Sequence, residues 1–154
     1  MRDIVEIRLA APSERSPLEA LQMRASLAND GDRAALLAHP DAVSIPDGQI
    51  EAGQVFVAEA GGTMLGFAAV LPRDDGCTEL DGLFVEPELW RGGTGRLLVT
   101  ACVEYCRRHG SPALMVLANP HAEGFYRACG FESYGTQKTR FGSGLLMRRD
   151  IDAR

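Results

Sequence analysis

A chain of 154 residues is the size of one domain, long enough to bury a core and short for two, so a single globular domain over 1–154 is expected. Its composition, 45% hydrophobic, 24% charged and 6% aromatic, excludes a disordered tract or a coiled coil, and a net charge of -5 argues against a nucleic-acid partner, whose surface calls for a basic patch. No apolar run reaches bilayer length, and Met1-Arg2-Asp3-Ile4 lacks the charged-then-apolar-then-small plan of a signal peptide, so a cytoplasmic location without a membrane partner is expected.

Residues 4–10 alternate as a half-buried strand that Pro12-Ser13 ends. Leu18, Leu21, Met23 and Leu27 then recur near helical spacing, with Ser16 as N-cap, Pro17 at the first helical position and Asn29-Asp30-Gly31 as the stop. A short helix over 32–38 leads through His39-Pro40 into an irregular stretch, 41–53, which reads as the cover over a substrate cleft. Residues 54–60 and 64–71 are strands joined by the hairpin turn Gly61-Gly62, and a third strand covers 77–85. After a glycine-rich turn, a helix presents Leu97, Leu98, Ala101, Cys102, Tyr105 and Cys106 on one face and stops at Gly110-Ser111-Pro112. The apolar run 113–118 marks a strand buried on both faces, 121–129 a short helix ended by Gly130, and 131–138 with 144–151 a last hairpin through 139–143.

Cys77, Cys102, Cys106 and Cys129 form no CxxC pair and have no histidines at zinc spacing; buried free thiols are expected, and no metal. His39, His109 and His121 lie apart in the sequence, and His109 is explained by its place at a helix C-terminus. A Gly-x-Ser-x-Gly elbow and the Lys-Ser/Thr ending of a P-loop are both missing, which removes two enzyme classes.

The informative stretch is the strand ending Leu83-Phe84-Val85, then Glu86-Pro87-Glu88-Leu89, then Trp90-Arg91-Gly92-Gly93-Thr94-Gly95-Arg96 opening a helix. Such a turn aims backbone N–H groups outward at the positive end of a helix dipole, and its glycines let a phosphate approach the chain. Arg91 and Arg96 can add charge-assisted donors. A dinucleotide-binding βαβ unit would also show such a turn, but its acidic residue should end a strand, whereas Glu104 falls mid-helix.

Val85-x-Pro87, the 90–96 loop, Asn119-Pro120 and Gly124-Phe125-Tyr126-Arg127-Ala128-Cys129-Gly130-Phe131, in this order, resemble the GNAT superfamily of N-acetyltransferases from about residue 55 onward. Trp90 stands where the family has Gln or Arg. The resemblance implies an α/β (α+β) fold: a mixed, mostly antiparallel sheet of about six to seven strands flanked by about four helices and splayed at a central cofactor cleft. It implies acetyl-CoA as cosubstrate, in an opening between the strand ending at Val85 and the strand ending at Ala118. Main-chain groups of Phe84 and Val85 would bind the pantetheine arm, the amides of Arg91, Gly92, Gly93, Thr94, Gly95 and Arg96 the pyrophosphate, and Asn119 the pantetheine or a catalytic water.

Acetyl transfer to an amine needs a base for the ammonium and an acid for the departing thiolate. Tyr126 occupies the family position whose phenol protonates the thiolate, and Glu79 sits where the histone-acetylating branch places its base, with Asp81 in reserve. A salt-bridged or exposed strand residue is the bland reading of Glu79, and core packing that of Tyr126. The implied activity is direct, acetyl-CoA-dependent N-acetyl transfer to a primary amine of a small molecule or peptide. A non-catalytic acyl-CoA-binding module is the alternative, and the fold admits a homodimer through its last strands.

Overall fold

The computed structural model describes residues 4–39, 43–139 and 142–152, with the backbone alone at 30–32 and 35. Seven strands, β1 (Glu6–Leu9), β2 (Val55–Ala60), β3 (Thr63–Pro72), β4 (Thr78–Val85), β5 (Ala113–Ala118), β6 (Glu132–Thr139) and β7 (Gly142–Asp150), form one sheet in the order β1-β2-β3-β4-β5-β7-β6. Five α-helices accompany them among the described residues: α1 (Arg15–Ala28), α2 (Asp30–Ala38), α3 (Asp47–Glu51), α4 (Thr94–Arg108) and α5 (Glu123–Ala128). The β4–β5 ladder is parallel and the other described ladders are antiparallel, so the mixed, mostly antiparallel α+β fold is as expected. The chain divides into two compact units, Met1–Ala69 with Gly82–Ala101, and Val70–Asp81 with Cys102–Arg154.

In the first unit, β1 pairs with β2 from Glu6↔Glu59 to Leu9↔Phe56. Helix α1 starts two residues ahead of the expected Pro17, and Ser16 does not cap it. The reason is the set of bonds made by Glu14: it accepts from the Ala11 amide at 2.8 Å and pairs with both Arg8 terminal nitrogens at 2.8 and 2.7 Å, closing a 3-10 turn over Pro12–Glu14 that feeds the helix early. Arg8 also holds the Glu14 carboxyl below its usual range. Pro17 still falls in the first turn, where a missing N–H is harmless. Asp30 and Gly31, expected as the stop, open α2 instead.

The stretch expected to be irregular contains α3, introduced by Pro46, and Ile45 and Ile50 join Leu18, Leu21, Val55, Val57 and Phe67 in one buried cluster. Ile45, Gln49 and Ile50 of that expected cover are therefore buried, while residues 40–42 lie outside the described residues. Gly61 and Gly62, at φ 56 and 80°, make the tight β2–β3 turn.

In the second unit, the β4–β5 ladder consists of two pairs, Thr78↔Leu114 and Glu79↔Met115, at the starts of both strands. Strand β5 pairs on its other side with β7, from Ala113↔Asp150 to Ala118↔Leu145, and β7 pairs with β6. Part of the expected 139–143 turn, 140–141, lies outside the described residues. The buried hydroxyls here are satisfied: Thr78 Oγ1 donates to Ser111 Oγ at 2.9 Å, and Ser111 Oγ donates to the Ala113 carbonyl at 3.1 Å. Gly110, at φ 68°, ends α4, with the Ser111 amide donating back to the Cys106 carbonyl at 2.9 Å.

Helix α4 buries Leu98, Val99, Cys102, Val103, Tyr105 and Cys106. Leu97, expected on that face, is 43% exposed, because the buried stripe at 3.6-residue spacing runs one position later, through Val99 and Val103. All four cysteines are buried and in no disulfide, and burial pushes the Cys102 thiol up to about 12. No helix among the described residues is long and apolar enough to cross a membrane.

Gly66, inside β3, is where backbone meets backbone: a Cβ there would lie 2.6 Å from the Phe84 carbonyl oxygen and 3.1 Å from Val85 Cα. Gly66→Ala is expected to destabilise the protein by about 2 kcal/mol in urea unfolding, because main chain rather than a flexible side chain must move.

Candidate functional site

The last residues of β4 are set by their neighbours in the first unit. Phe84 lies tilted on Phe67, ring centroids 5.3 Å apart, over the space that a side chain at Gly82 would fill. The Glu86 amide donates to the Leu65 carbonyl at 2.9 Å. A 3-10 turn, Pro87–Leu89, follows. Trp90, at φ -59° and ψ 141°, and Arg91, at φ 70°, then occupy the two central positions of a type II β-turn, closed by the Gly92 amide donating to the Leu89 carbonyl at 3.1 Å. Gly93 is at φ 90°, α4 begins at Thr94, and the Leu97 amide makes the first bond back, to the Gly93 carbonyl, at 3.1 Å.

The amides ahead of Leu97 therefore precede the first intrahelical bond and sit at the positive end of a 15-residue helix. Arg91, Gly92, Gly93 and Arg96 are exposed, Gly95 is half-buried and Thr94 is buried. The Gly92 amide is engaged in closing the turn. Trp90 donates its indole Nε1–H to the Val85 carbonyl at 2.9 Å, so one of that oxygen's two lone pairs is already in use.

The remaining sequence candidates fall in the second unit. Tyr126, on α5, is 8% exposed, with Phe125 and Phe131 meeting its ring edge-on at centroid distances of 5.1 and 5.3 Å. Burial pushes its phenol above the ordinary tyrosine value, so it holds its proton throughout the neutral range. Asn119 precedes the 3-10 turn Pro120–Ala122, where its Oδ1 accepts from the His121 amide at 3.0 Å. Glu79 is 40% exposed and lies 3.5 Å from Arg73 Nη1, while Asp81 is exposed. The bland reading of Glu79 as a salt-bridged strand residue thus describes its surroundings. His109 stacks on Tyr105 at 4.0 Å, with Nδ1 2.9 Å from the Tyr105 carbonyl, and is structural.

Sequence reading overlooked Gly66, Gly82 and the bond made by Trp90. A glycine inside a strand signals close backbone approach, so Gly66 was detectable; the partner of Trp90 depends on how the chain turns back after Pro87.

Residues 21–131 match the Acetyltransferase (GNAT) family, and the chain belongs to that family. Among solved structures, it is similar to PaiA N-acetyltransferase from Thermoplasma acidophilum in complex with coenzyme A, at 18% identity and a TM-score of 0.79 over 96% of this chain and 99% of that one. It is also similar to the ribosomal-protein-S18-alanine N-acetyltransferase from Escherichia coli, at 19% identity and 0.71 over 98% and 96%. Nourseothricin acetyltransferase matches at 24% identity and 0.59 over 64% of this chain, which spans 65% of that protein's length. These likenesses establish a shared fold. Among curated protein sequences none matches significantly.

Arg91 stands where a type II turn demands positive φ and glycine is the usual occupant. A β-branched residue is worse there, so Arg91→Val is expected to cost about 1–2 kcal/mol in urea unfolding, whereas Arg91→Gly leaves stability equal or higher.

Proposed function

We propose that this chain transfers the acetyl group of acetyl-CoA directly to a primary amine of a small molecule or peptide. The observation that carries the reading is the 90–96 loop: a type II turn and a glycine at positive φ deliver the chain into the N-terminus of α4, in the segment of the family match that follows β4. The amides from Gly93 onward and the guanidinium groups of Arg91 and Arg96 hold the cofactor's diphosphate, and main-chain groups of Phe84 and Val85 take the pantetheine arm. The coenzyme A in the Thermoplasma acidophilum structure supports a CoA cosubstrate.

Tyr126 is the acid. Its raised proton affinity ensures that a phenol rather than a phenolate meets the thioester, and a thiolate departing beside it is desolvated too, which raises its own appetite for the proton. Glu79 takes the ammonium proton through water, with Asp81 in reserve. The Arg73 ion pair at Glu79 is the one observation that favours the alternative, an acyl-CoA-binding module without chemistry. The named neighbours act on nourseothricin and on a protein's alanine, and both support an amine acceptor here without choosing its size.

Acetyl-CoA at about 100 times its Kd is expected to raise Tm by about 5–10 °C, and Gly93→Glu to abolish the shift. No shift in the native protein, or the same shift in the variant, contradicts the cofactor reading. Once an amine panel yields an acceptor, Tyr126→Phe is expected to lower kcat by about a hundredfold. Because the phenol's affinity for its proton is raised, Tyr126 causes no loss of rate until pH passes the ordinary phenol range of about 10. Glu79→Gln is expected to remove the acidic limb of the pH–rate profile, and an unchanged limb assigns the base elsewhere.

A further inference from the structure

We propose that Trp90 is a positioning residue of the cofactor loop, fastening the turn that carries the diphosphate cradle to the end of β4, where the pantetheine arm lies. The inference rests on the acetyl-CoA reading above and extends it to the position where this chain has Trp in place of the family's Gln or Arg.

The peptide unit between Val85 and Glu86 has both polar ends held. Its carbonyl accepts from Trp90 Nε1–H at 2.9 Å, and its N–H donates to the Leu65 carbonyl at 2.9 Å. The strand end is thereby fixed to β3 on one side and to the loop on the other. Glu86 is held again through its side chain, which pairs with Arg24 of α1 at 3.0 Å.

Packing does not account for Trp90. It is the only tryptophan in the chain and remains 46% exposed, so hydrophobic burial leaves much of its orientation undetermined. The indole bond supplies what packing does not. It also closes a ring of backbone over Pro87–Leu89 and anchors the first central residue of the type II turn, while the second, Arg91, sits at φ 70°, a conformation that a non-glycine residue adopts at a cost. Without the bond, main-chain hydrogen bonds local to the loop, Gly92 to Leu89 at 3.1 Å and Trp90 to Pro87 at 3.3 Å, hold the turn but do not tie it to the strand.

A residue that sets spacing between two parts of a ligand site matters most for a ligand that uses both parts. Calorimetric titration of Trp90→Phe, which keeps a ring and deletes the donor, is therefore compared for acetyl-CoA and for S-acetylpantetheine, which lacks the diphosphate. The expected result is a roughly tenfold weaker Kd for acetyl-CoA with S-acetylpantetheine within about twofold of the native protein. Equal weakening of both ligands, or no weakening of acetyl-CoA, overturns the proposal. No binding of acetyl-CoA by the native protein overturns the functional reading and this one with it, whereas native binding with an indifferent variant overturns this one alone. If the variant does not fold, the indole N–H resonance of the native protein decides: slow hydrogen exchange, with and without CoA, is expected, and exchange at the rate of a free indole refutes the bond.

Discussion

A single peptide unit, the one joining Val85 to Glu86, governs how the chain passes from β4 through the 90–96 loop into α4. A backbone carbonyl and amide left open at a strand terminus would be satisfied by water and would leave the following turn loose. Here Leu65 and Trp90 take them instead, and the chain leaves β4 in one direction. Everything downstream inherits that direction: the 3-10 turn, the type II turn with Arg91 at positive φ, and the first turn of α4, whose amides have no preceding helical turn to bond to. Gly66 is the other side of the same constraint, since a methyl group there would collide with the Phe84 carbonyl.

The second unit contributes different physics. Its buried hydroxyls are paired, Thr78 with Ser111, and its thiols are buried, with burial raising the proton affinity of Cys102 and Cys106. Against this background Tyr126 is a buried phenol among aromatic edges, well suited to carry a proton and poorly suited to lose it spontaneously. Glu79 differs: it is open to solvent and shares its charge with Arg73, so a proton-transfer role requires it to work within an ion pair.

Much of this was legible in the sequence because it is local. The Gly61-Gly62 turn, the Gly110 and Gly130 helix stops, the buried run of β5 and the order of the loop and the Asn119–Phe131 segment depend on residues a few positions apart, and the family could be recognised from them. What escaped depends on distant partners. Arg8, itself tied to Glu59 of β2, holds Glu14 and shifts the start of α1, and Ile45 and Ile50 join Leu18 and Leu21 in the core. Trp90 read as a departure from the family's Gln or Arg. In the structure it is the group that joins the loop to the strand, a role that no spacing rule encodes.

The most direct test of the account is backbone amide hydrogen exchange of the native protein with and without CoA, read residue by residue. The account predicts added protection concentrated at residues 93–97, where the diphosphate covers the start of α4. CoA binding that protects other segments and leaves 93–97 unchanged would contradict it.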